Sequence, residues 1–144
     1  MGEVRLKRGA TDGYFSDLIR ERVNWICERC GKDFSEDRQK LHASHFIGRG
    51  NKNVRWNLDN AAALCGGMAP WGLYGCHKEF TEDALAHYEF FRKRLGTRKL
   101  NKLKRESHEF FKGKDEMEIR KSLKEELRKL QESKKGFIVG ARAK

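Results

Sequence analysis

Apolar residues recur at helical spacing near both ends of the chain. In the N-terminal part, Thr11 or Asp12 can cap a helix whose apolar positions fall three or four residues apart. Those positions are Phe15, Leu18, Ile19 and Val23. The spacing predicts an amphipathic helix that packs on the core and ends near the first pair of cysteines.

The C-terminal half predicts three more helices. Thr81 can cap a helix over residues 82–95, and residues 98–105 predict a second, shorter one. A long helix begins at Asp115 and frays at residues 134–136. Its apolar stripe is surrounded by charged residues and consists of Ile119, Leu123, Leu127 and Leu130. The stripe can dock on the core of its own chain or form a homodimer.

The middle of the chain has a different pattern. Residues 41–47 alternate loosely, a turn-forming cluster follows at 48–53, and residues 54–56 can return as a second strand. His45 then lies near the end of the first strand. Residues 66–75 hold the only proline and several glycines, so we expect a loop there. A short hairpin among helices predicts an α+β fold.

Length and composition suggest one small domain with an appendage. The chain has 144 residues, of which 38% are hydrophobic and 37% charged. The core must therefore be small, and a metal site would stabilise it. We expect a domain over residues 1–97, including the N-terminal helix, and a basic helical extension over 98–144. That extension should dock on the core and end in a frayed tail.

The charge balance favours a polyanionic partner. Lysine and arginine number 32 against 21 acidic residues, which gives a net charge of +11. Such a chain gains affinity for nucleic acid by counterion release, so DNA is the first candidate partner. The N-terminus lacks the apolar core of a signal peptide, and no stretch approaches the roughly 18 apolar residues of a membrane span. We therefore expect a cytoplasmic protein.

The four cysteines predict a structural zinc site. Cys27 and Cys30 have the Cys-x2-Cys spacing of a zinc knuckle, which supplies two thiolates from one turn. Cys65 and Cys76 are less regular, because ten residues separate them. We expect all four to share one zinc ion, and the alternative is that the second pair consists of buried free thiols.

Three further residues suit phosphodiester hydrolysis, which needs a base, a group that orients the base, and a cation. His45 can activate water, and Asn60 can orient His45 through its side-chain amide. His77 directly follows Cys76 and can bind the catalytic cation. Any one of them alone would be weak evidence, but their order and spacing are specific.

These residues resemble the HNH, or ββα-metal, endonucleases, and in detail they are similar to the phage lambda NinG (Rap) recombination-endonuclease family. The resemblance covers roughly residues 12–130. It rests on Phe15-Ser16-x2-Ile19-Arg20-x-Arg22, Cys27-x2-Cys30, His42-Ala43-Ser44-His45-Phe46-Ile47-Gly48-Arg49-Gly50-Asn51-Lys52, Arg55-Trp56-x3-Asn60, Leu64-Cys65, Cys76-His77 and Arg94-Leu95-Gly96.

The resemblance implies a zinc-knuckle, treble-clef-like core in which a hairpin and a helix hold one Mg²⁺ or Mn²⁺ ion. It implies cleavage to 5′-phosphate and 3′-hydroxyl ends and a role in phage recombination on branched DNA. His45 matches the general base, Asn60 the middle asparagine and His77 the terminal metal ligand. Ser44 stands where many relatives have a metal-binding aspartate, and we expect His42 to replace it. Because residues 42 and 45 oppose each other in a strand, a local bulge is expected.

Basic residues near the base are candidate DNA contacts. Residues 40–56 contain no acidic residue, and phosphate contact is favoured over a solvated hairpin tip for Arg49, Lys52 and Arg55. On the helix over 98–105, DNA contact and plain exposure are equally open for Arg98, Lys102 and Arg105. Base stacking or core packing is open for Trp56 and Trp71, with packing favoured. His87 is expected to be structural rather than part of the metal site.

The sequence thus predicts a phage or prophage DNA endonuclease with structural zinc and a catalytic Mg²⁺ or Mn²⁺ ion. The main alternative is a non-catalytic zinc-knuckle module that binds DNA. A second alternative is an HNH nuclease of phage packaging or restriction, with the same chemistry in another pathway.

Overall fold

The structure, a computed structural model, describes residues 9–66 and 75–142, and for residues 136–142 only the backbone. Most of the predicted loop over 66–75, including Trp71, therefore lies outside the described residues. Five α-helices and one two-stranded sheet confirm the α+β class. The helices are α1 (Ala10–Glu21), α2 (Cys76–Glu82), α3 (Ala84–Leu95), α4 (Thr97–Ser107) and α5 (Glu116–Arg142), and the strands are β1 (Leu41–His45) and β2 (Ala61–Cys65).

The sheet pairs different segments from those predicted. β1 runs antiparallel to β2, with Leu41 opposite Cys65 and His45 opposite Ala61. The hairpin expected between 41–47 and 54–56 is wrong, because residues 52–56 form turns. The first four residues of β2 are all buried, so the strand lacks the alternation that marks a half-exposed strand. Its three alanines also carry little strand propensity.

The first helix begins slightly earlier than predicted. Gly9 occupies the N-cap position, and the Asp12 carboxylate accepts a hydrogen bond from the Gly9 N–H at 3.0 Å. Thr11 and Asp12 therefore lie in the first turn and are not the cap itself. The apolar face of α1 buries Phe15, Leu18 and Ile19 against the sheet and α5.

The region around residue 80 forms two helices instead of one. α2 ends at Glu82. Asp83 is the N-cap residue of α3, and its carboxylate accepts a hydrogen bond from the Ala86 N–H at 3.0 Å. Thr81, the expected cap, lies inside α2, where its hydroxyl donates to the His77 carbonyl. The sequence prediction missed α2, and this short helix carries His77.

The C-terminal helices pack into the same hydrophobic core as α1. α5 lies along α1 and buries Leu123 and Leu127, so the leucine stripe is covered by the helix's own chain. Polar contacts at both ends of this pair reinforce the packing: the Thr11 hydroxyl donates to Glu116, and the Lys134 ammonium lies 3.0 Å from a Glu21 carboxylate oxygen. α5 continues to Arg142, beyond residues 134–136, where the sequence predicted that the helix would fray. Among the described helices, none is both long and apolar enough to cross a membrane.

Candidate metal centre and catalytic site

Four cysteine sulfur atoms converge from three segments of the chain. Cys27 and Cys30 lie in the turn after α1, Cys65 ends β2, and Cys76 begins α2. All four Sγ atoms lie within 4.8 Å of one another, and those of Cys30 and Cys65 are 3.7 Å apart. A tetrahedral ion with bonds of about 2.3 Å to sulfur places its ligands about 3.8 Å apart. The second pair therefore reaches the first, and the four cysteines lie close enough to hold one metal ion.

The turn at Cys27 has the geometry of a zinc knuckle. The Gly31 N–H donates to the Cys27 carbonyl, and the Cys27 N–H donates to the Lys32 carbonyl, both at 2.9 Å. Gly31 adopts a φ of 77°, a left-handed conformation that glycine enters without the strain that a side chain imposes. This tight reversal places Cys27 and Cys30 on the same side.

The environment of the thiols suits a cation. Burial acts to raise the pKa of Cys27, but the N–H groups of Cys30, Cys65 and Arg29 donate toward its sulfur and lower the pKa to about 7. Burial raises the pKa of Cys65 and Cys76, and the charge of Cys27 adds to that increase. Four thiolates at this spacing repel one another unless a cation lies between them, so the donor set fits zinc.

A pair of histidines lies next to the cysteine cluster. Nδ1 of His42, on β1, is 3.0 Å from Nδ1 of His77, on α2, and the two rings meet edge to face. Two nitrogen ligands at adjacent positions of an octahedral ion are also about 3.0 Å apart when the bonds are about 2.1 Å. His77 directly follows Cys76, and His42 is paired in the sheet with Leu64, the neighbour of Cys65. The sheet and α2 thus carry residues of both the cysteine cluster and the histidine pair.

His77 is held in the neutral form that metal binding requires. Burial, followed by the positive charges of His42, His87 and His45, lowers the pKa of His77 to about 4. A neutral imidazole presents a nitrogen lone pair to a cation near pH 7. The predicted bulge is wrong, because the register from 41 to 45 has no interruption. His77 instead connects the two faces of β1, since it contacts His42 and lines the same cavity as His45.

That cavity has a volume of about 300 Å³, and His45, His77, Arg49, Asp12 and Ser16 line it. Nε2 of His45 lies 2.9 Å from the Arg55 carbonyl oxygen. A carbonyl oxygen only accepts, so Nε2 carries the proton and Nδ1 holds the lone pair. Burial lowers the pKa of His45, which keeps the ring neutral. The ring therefore has the tautomer and charge state of a general base.

Asn60 supports His45 by a different route from the predicted one. Its amide nitrogen donates to the carbonyls of Ile47 and Val54, at 2.8 and 3.0 Å, and its oxygen accepts from the Ile47 N–H at 2.8 Å. Both amide hydrogens are used in these bonds, so the prediction that Asn60 contacts His45 directly is wrong. The fully buried amide closes the loop between 47 and 54, and the next residue, Arg55, supplies the carbonyl that orients His45.

Arg55 does not serve as the open phosphate contact that the sequence predicted. Its Nη2 lies 2.6 Å from one Asp12 oxygen and its Nε lies 3.0 Å from the other. The Trp56 indole N–H also donates to Asp12, at 3.0 Å. Only 7% of the Asp12 side chain and 13% of the Arg55 side chain are exposed. This buried pair fixes the backbone that holds His45 to α1, which gives Asp12 a role that the sequence prediction missed.

Replacing Asp12 with alanine is expected to lower the free energy of unfolding by about 3 kcal/mol or more, because Arg55 would remain buried without its partner. Burial acts to raise the pKa of Asp12, but hydrogen bonds from Arg55, Gly9 and Trp56 outweigh it and lower the pKa. The carboxylate therefore stabilises the fold above its ordinary pKa, and the difference between the two proteins should shrink below about pH 4.

Urea unfolding at pH 7 and pH 3 measures this effect. Asp17→Ala is the matched control, since Asp17 lies on the same helix and pairs with Arg20 while 47% of its side chain is exposed. Its loss should cost about 1 kcal/mol or less, because Asp17 is partly exposed and Arg20 keeps its hydrogen bonds to the carbonyls of Ser16 and Leu41. Equal losses of stability in the two variants at pH 7 would contradict the structural role assigned to Asp12.

The remaining predicted residues lie in different parts of the structure. Arg49 lines the cavity beside His45, and the Lys52 ammonium lies 5.7 Å from the centre of the Phe111 ring. The other three basic residues lie on the exposed surface of α4: Arg98, Lys102 and Arg105. The half-buried Trp56 packs beside Asp12. His87 contacts the aromatic rings of Phe46, Phe80 and Phe91.

Gly66 is a further residue that the sequence prediction missed. A Cβ atom at this position would lie 2.5 Å from Cε1 and 2.7 Å from Nδ1 of His42. Gly66→Ala should therefore displace the His42 ring from His77 and weaken divalent-ion binding by about tenfold or more, the usual effect of disturbing the groups that support a metal ligand. A flexible ring can move at low cost, so thermal stability should change little.

Isothermal titration of the zinc-loaded protein with Mn²⁺ measures the effect of Gly66→Ala. Gly48→Ala is the matched control, because nothing lies within 4 Å of the added Cβ. If Gly66→Ala binds Mn²⁺ as tightly as Gly48→Ala, then His42 is not a ligand at the distance that the structure gives.

Comparison with known proteins finds no family model, curated protein or solved structure that matches this chain. The structure establishes an α+β fold and four cysteines close enough to hold a metal ion. Any assignment of activity must therefore rest on the arrangement of side chains around the His45 cavity.

Proposed function

We propose that this chain is a metal-dependent DNA endonuclease that hydrolyses phosphodiester bonds. One observation carries the proposal: His45, with Nε2 fixed by a backbone carbonyl, lines a cavity together with His77, which is 3.0 Å from His42. An oriented neutral imidazole beside a pair of nitrogen ligands provides a base and a cation site in one cavity.

In the proposed mechanism Nδ1 of His45 takes a proton from the attacking water. Protonation of Nδ1 turns His45 into an imidazolium, whose positive charge must be stabilised. The Arg55 carbonyl stabilises it by accepting a hydrogen bond from Nε2–H. His42 and His77 would hold a divalent ion, which would supply positive charge to offset that developing on the phosphate and the leaving oxygen. Arg49 lines the same cavity and can contact a non-bridging phosphate oxygen.

The resemblance of the sequence to HNH endonucleases supports the same proposal. β1, β2 and α2 supply two strands and a helix around the histidines, as a ββα-metal core requires. By this resemblance the products carry 5′-phosphate and 3′-hydroxyl ends, and branched DNA in phage recombination is the substrate. The four cysteines then hold zinc for structure, apart from the reaction.

The ligand set bears on the identity of the catalytic ion. His42 and His77 are both nitrogen donors, and Ser44, which stands where relatives have aspartate, is only 2% exposed. Imidazole suits transition metals, whereas Mg²⁺ prefers oxygen ligands. Of the two ions expected from the sequence, Mn²⁺ therefore fits this pair better than Mg²⁺.

A cleavage assay on the unmodified, zinc-loaded chain tests the proposal. Linear duplex, flap and four-way junction DNA are incubated with Mn²⁺, with Mg²⁺ or with no added ion. Metal-dependent cleavage, fastest with Mn²⁺ and on the branched DNAs, is the expected result. Binding to DNA without cleavage under any of these conditions would overturn the enzyme assignment and establish the alternative, a DNA-binding module built on the cysteine cluster.

A further inference from the structure

A second cavity lies beside the catalytic one. It has a volume of about 310 Å³, and Lys52, Trp56, Phe111 and Lys114 line it together with Arg55 and Glu116. Arg55 and Trp56 both bond to Asp12, which lines the catalytic cavity. Asp12, Arg55 and Trp56 therefore join the walls of the two cavities, and the Arg55 carbonyl oxygen lies 2.9 Å from Nε2 of His45.

One aromatic ring of this cavity is partly exposed to solvent. Phe111 is 38% exposed, and its neighbour Phe110, which lies outside the cavity lining, is 86% exposed; both belong to the connection between α4 and α5. Large apolar side chains are costly to leave in water, so two adjacent exposed ones favour contact with a partner here. Trp56 forms another wall of the same cavity.

The charges around these rings indicate what binds there. The Lys52 ammonium lies over the Phe111 ring, and the Lys114 ammonium contacts the Asn53 carbonyl at the rim. The one carboxylate in the lining, that of Glu116, already accepts from the Thr11 hydroxyl and lies 3.4 Å from Arg120. Aromatic rings flanked by lysines are the usual means of binding single-stranded nucleic acid, with the bases on the rings and the phosphates on the ammonium groups.

The size and chemistry of the cavity further restrict which groups can bind there. Its volume is at the lower end of the range for small-ligand pockets, which suits a single base. Bases inside a duplex are stacked on their neighbours and cannot present a face to a side chain, so the base must be unpaired. An apolar protein partner would favour a wider apolar surface with fewer charges than these lysines supply.

We propose that this second cavity binds one unpaired base of the DNA substrate on Phe111, with Lys52 and Lys114 contacting its flanking phosphates. The inference rests on the proposed function and deepens it. The site would select DNA that has an unpaired nucleotide next to the bond placed at His45. Fully paired duplex could still reach the catalytic cavity but would gain nothing from Phe111.

Binding of matched DNAs tests this assignment. Fluorescence anisotropy compares a paired duplex with the same duplex that carries a short single-stranded gap, in a His45→Ala background so that neither DNA is cut. Phe111→Leu keeps the apolar volume and removes the aromatic face. It should weaken binding to the gapped DNA by about tenfold and leave binding to the paired duplex unchanged, in line with the contribution of one stacked base.

Two further variants distinguish stacking from general apolar contact. Phe111→Trp restores an aromatic face and should recover binding to the gapped DNA. Leu85→Ala removes an exposed apolar side chain from α3, where Leu85 is 72% exposed, and should affect neither DNA. Circular dichroism confirms folding, and Lys52→Gln, which should also weaken gapped-DNA binding selectively, provides a second test.

Several outcomes would overturn the assignment. The first is that Phe111→Leu binds gapped DNA as tightly as the parent protein. The second is that Phe111→Leu loses the same affinity for gapped and for paired DNA. The third is that Phe111→Trp does not recover affinity for gapped DNA. Failure of the proposed function is a separate result, because it is the absence of metal-dependent cleavage by the unmodified chain. A chain that cuts DNA but tolerates Phe111→Leu would keep its activity assignment and lose this base-binding site.

Discussion

His45→Ala is expected to lower metal-dependent DNA cleavage by about a hundredfold to ten-thousandfold, the usual contribution of a general base. The ring is oriented by the Arg55 carbonyl and stacks on Phe15 with centroids 5.3 Å apart. It is the last residue of β1 and lines a cavity, so its removal should not disturb the sheet or the cysteine cluster. Initial rates of plasmid nicking with Mn²⁺ measure the loss, and thermal melting confirms that the variant folds.

His108→Ala is the matched control for this experiment. His108 lies in the exposed turn after α4, away from the residues that line the cavity, and its loss removes the same side chain. That variant should cleave at the parent rate. Added imidazole should partly restore His45→Ala, because it can enter the vacated space and accept the proton. Equal rates for the two alanine variants would remove His45 from the mechanism.

Much of the fold was predictable because its helices have strong local signals. The periodicity of α1 and α5 and the basic stretch of α4 are properties of neighbouring residues. The bounds of these helices were predicted within a few residues, except at the end of α5, which continues to Arg142. β2 carries no such signal, since an Ala-Ala-Ala-Leu strand that is buried on both faces does not alternate. The hairpin was assigned to the nearest β-branched and aromatic residues instead, and that assignment was wrong.

Part of the candidate site could also be predicted from local sequence patterns, whereas the rest depends on contacts between residues that are far apart in the sequence. Spacing alone identified Cys27 and Cys30, and the order of residues identified His45 and His77. The contact between Asp12 and Arg55 joins positions 43 residues apart, and no sequence pattern near either residue predicts it. Asn60 was expected to bond with His45, but the backbone of the loop between 47 and 54 uses both donors of its carboxamide and one acceptor position of its oxygen.

One structural frame links the cysteine cluster to the histidine pair. Cys76 and His77 are consecutive residues of α2, and Cys65 and Gly66 lie where β2 ends against His42. Whatever holds α2 against β2 therefore also sets the distance from His42 to His77. α2 has only seven residues, and its buried side chains are those of Cys76 and Phe80. A metal ion at the cysteines would fix this helix more firmly than packing can.

Cys27→Ser is expected to unfold most of the protein at room temperature. Structural zinc contributes about 10–16 kcal/mol of folding free energy in small metal-folded peptides. That contribution matches or exceeds the total stability of an ordinary domain, about 5–15 kcal/mol. Cys27 is 1% exposed and accepts from the Cys65 N–H, so a serine there also loses the thiolate that the knuckle amides surround.

Elemental analysis and thermal melting check this expectation together. The unmodified chain should contain one zinc ion, and a chelator should lower its melting temperature to that of Cys27→Ser. Lys32→Ser is the matched control, because Lys32 lies in the same turn with an exposed side chain and only its backbone carbonyl takes part in the knuckle. This variant should keep both the zinc and the melting temperature of the parent. Native, active protein without zinc, or a Cys27→Ser variant with the same melting temperature as Lys32→Ser, would show that the four cysteines do not hold a structural metal ion.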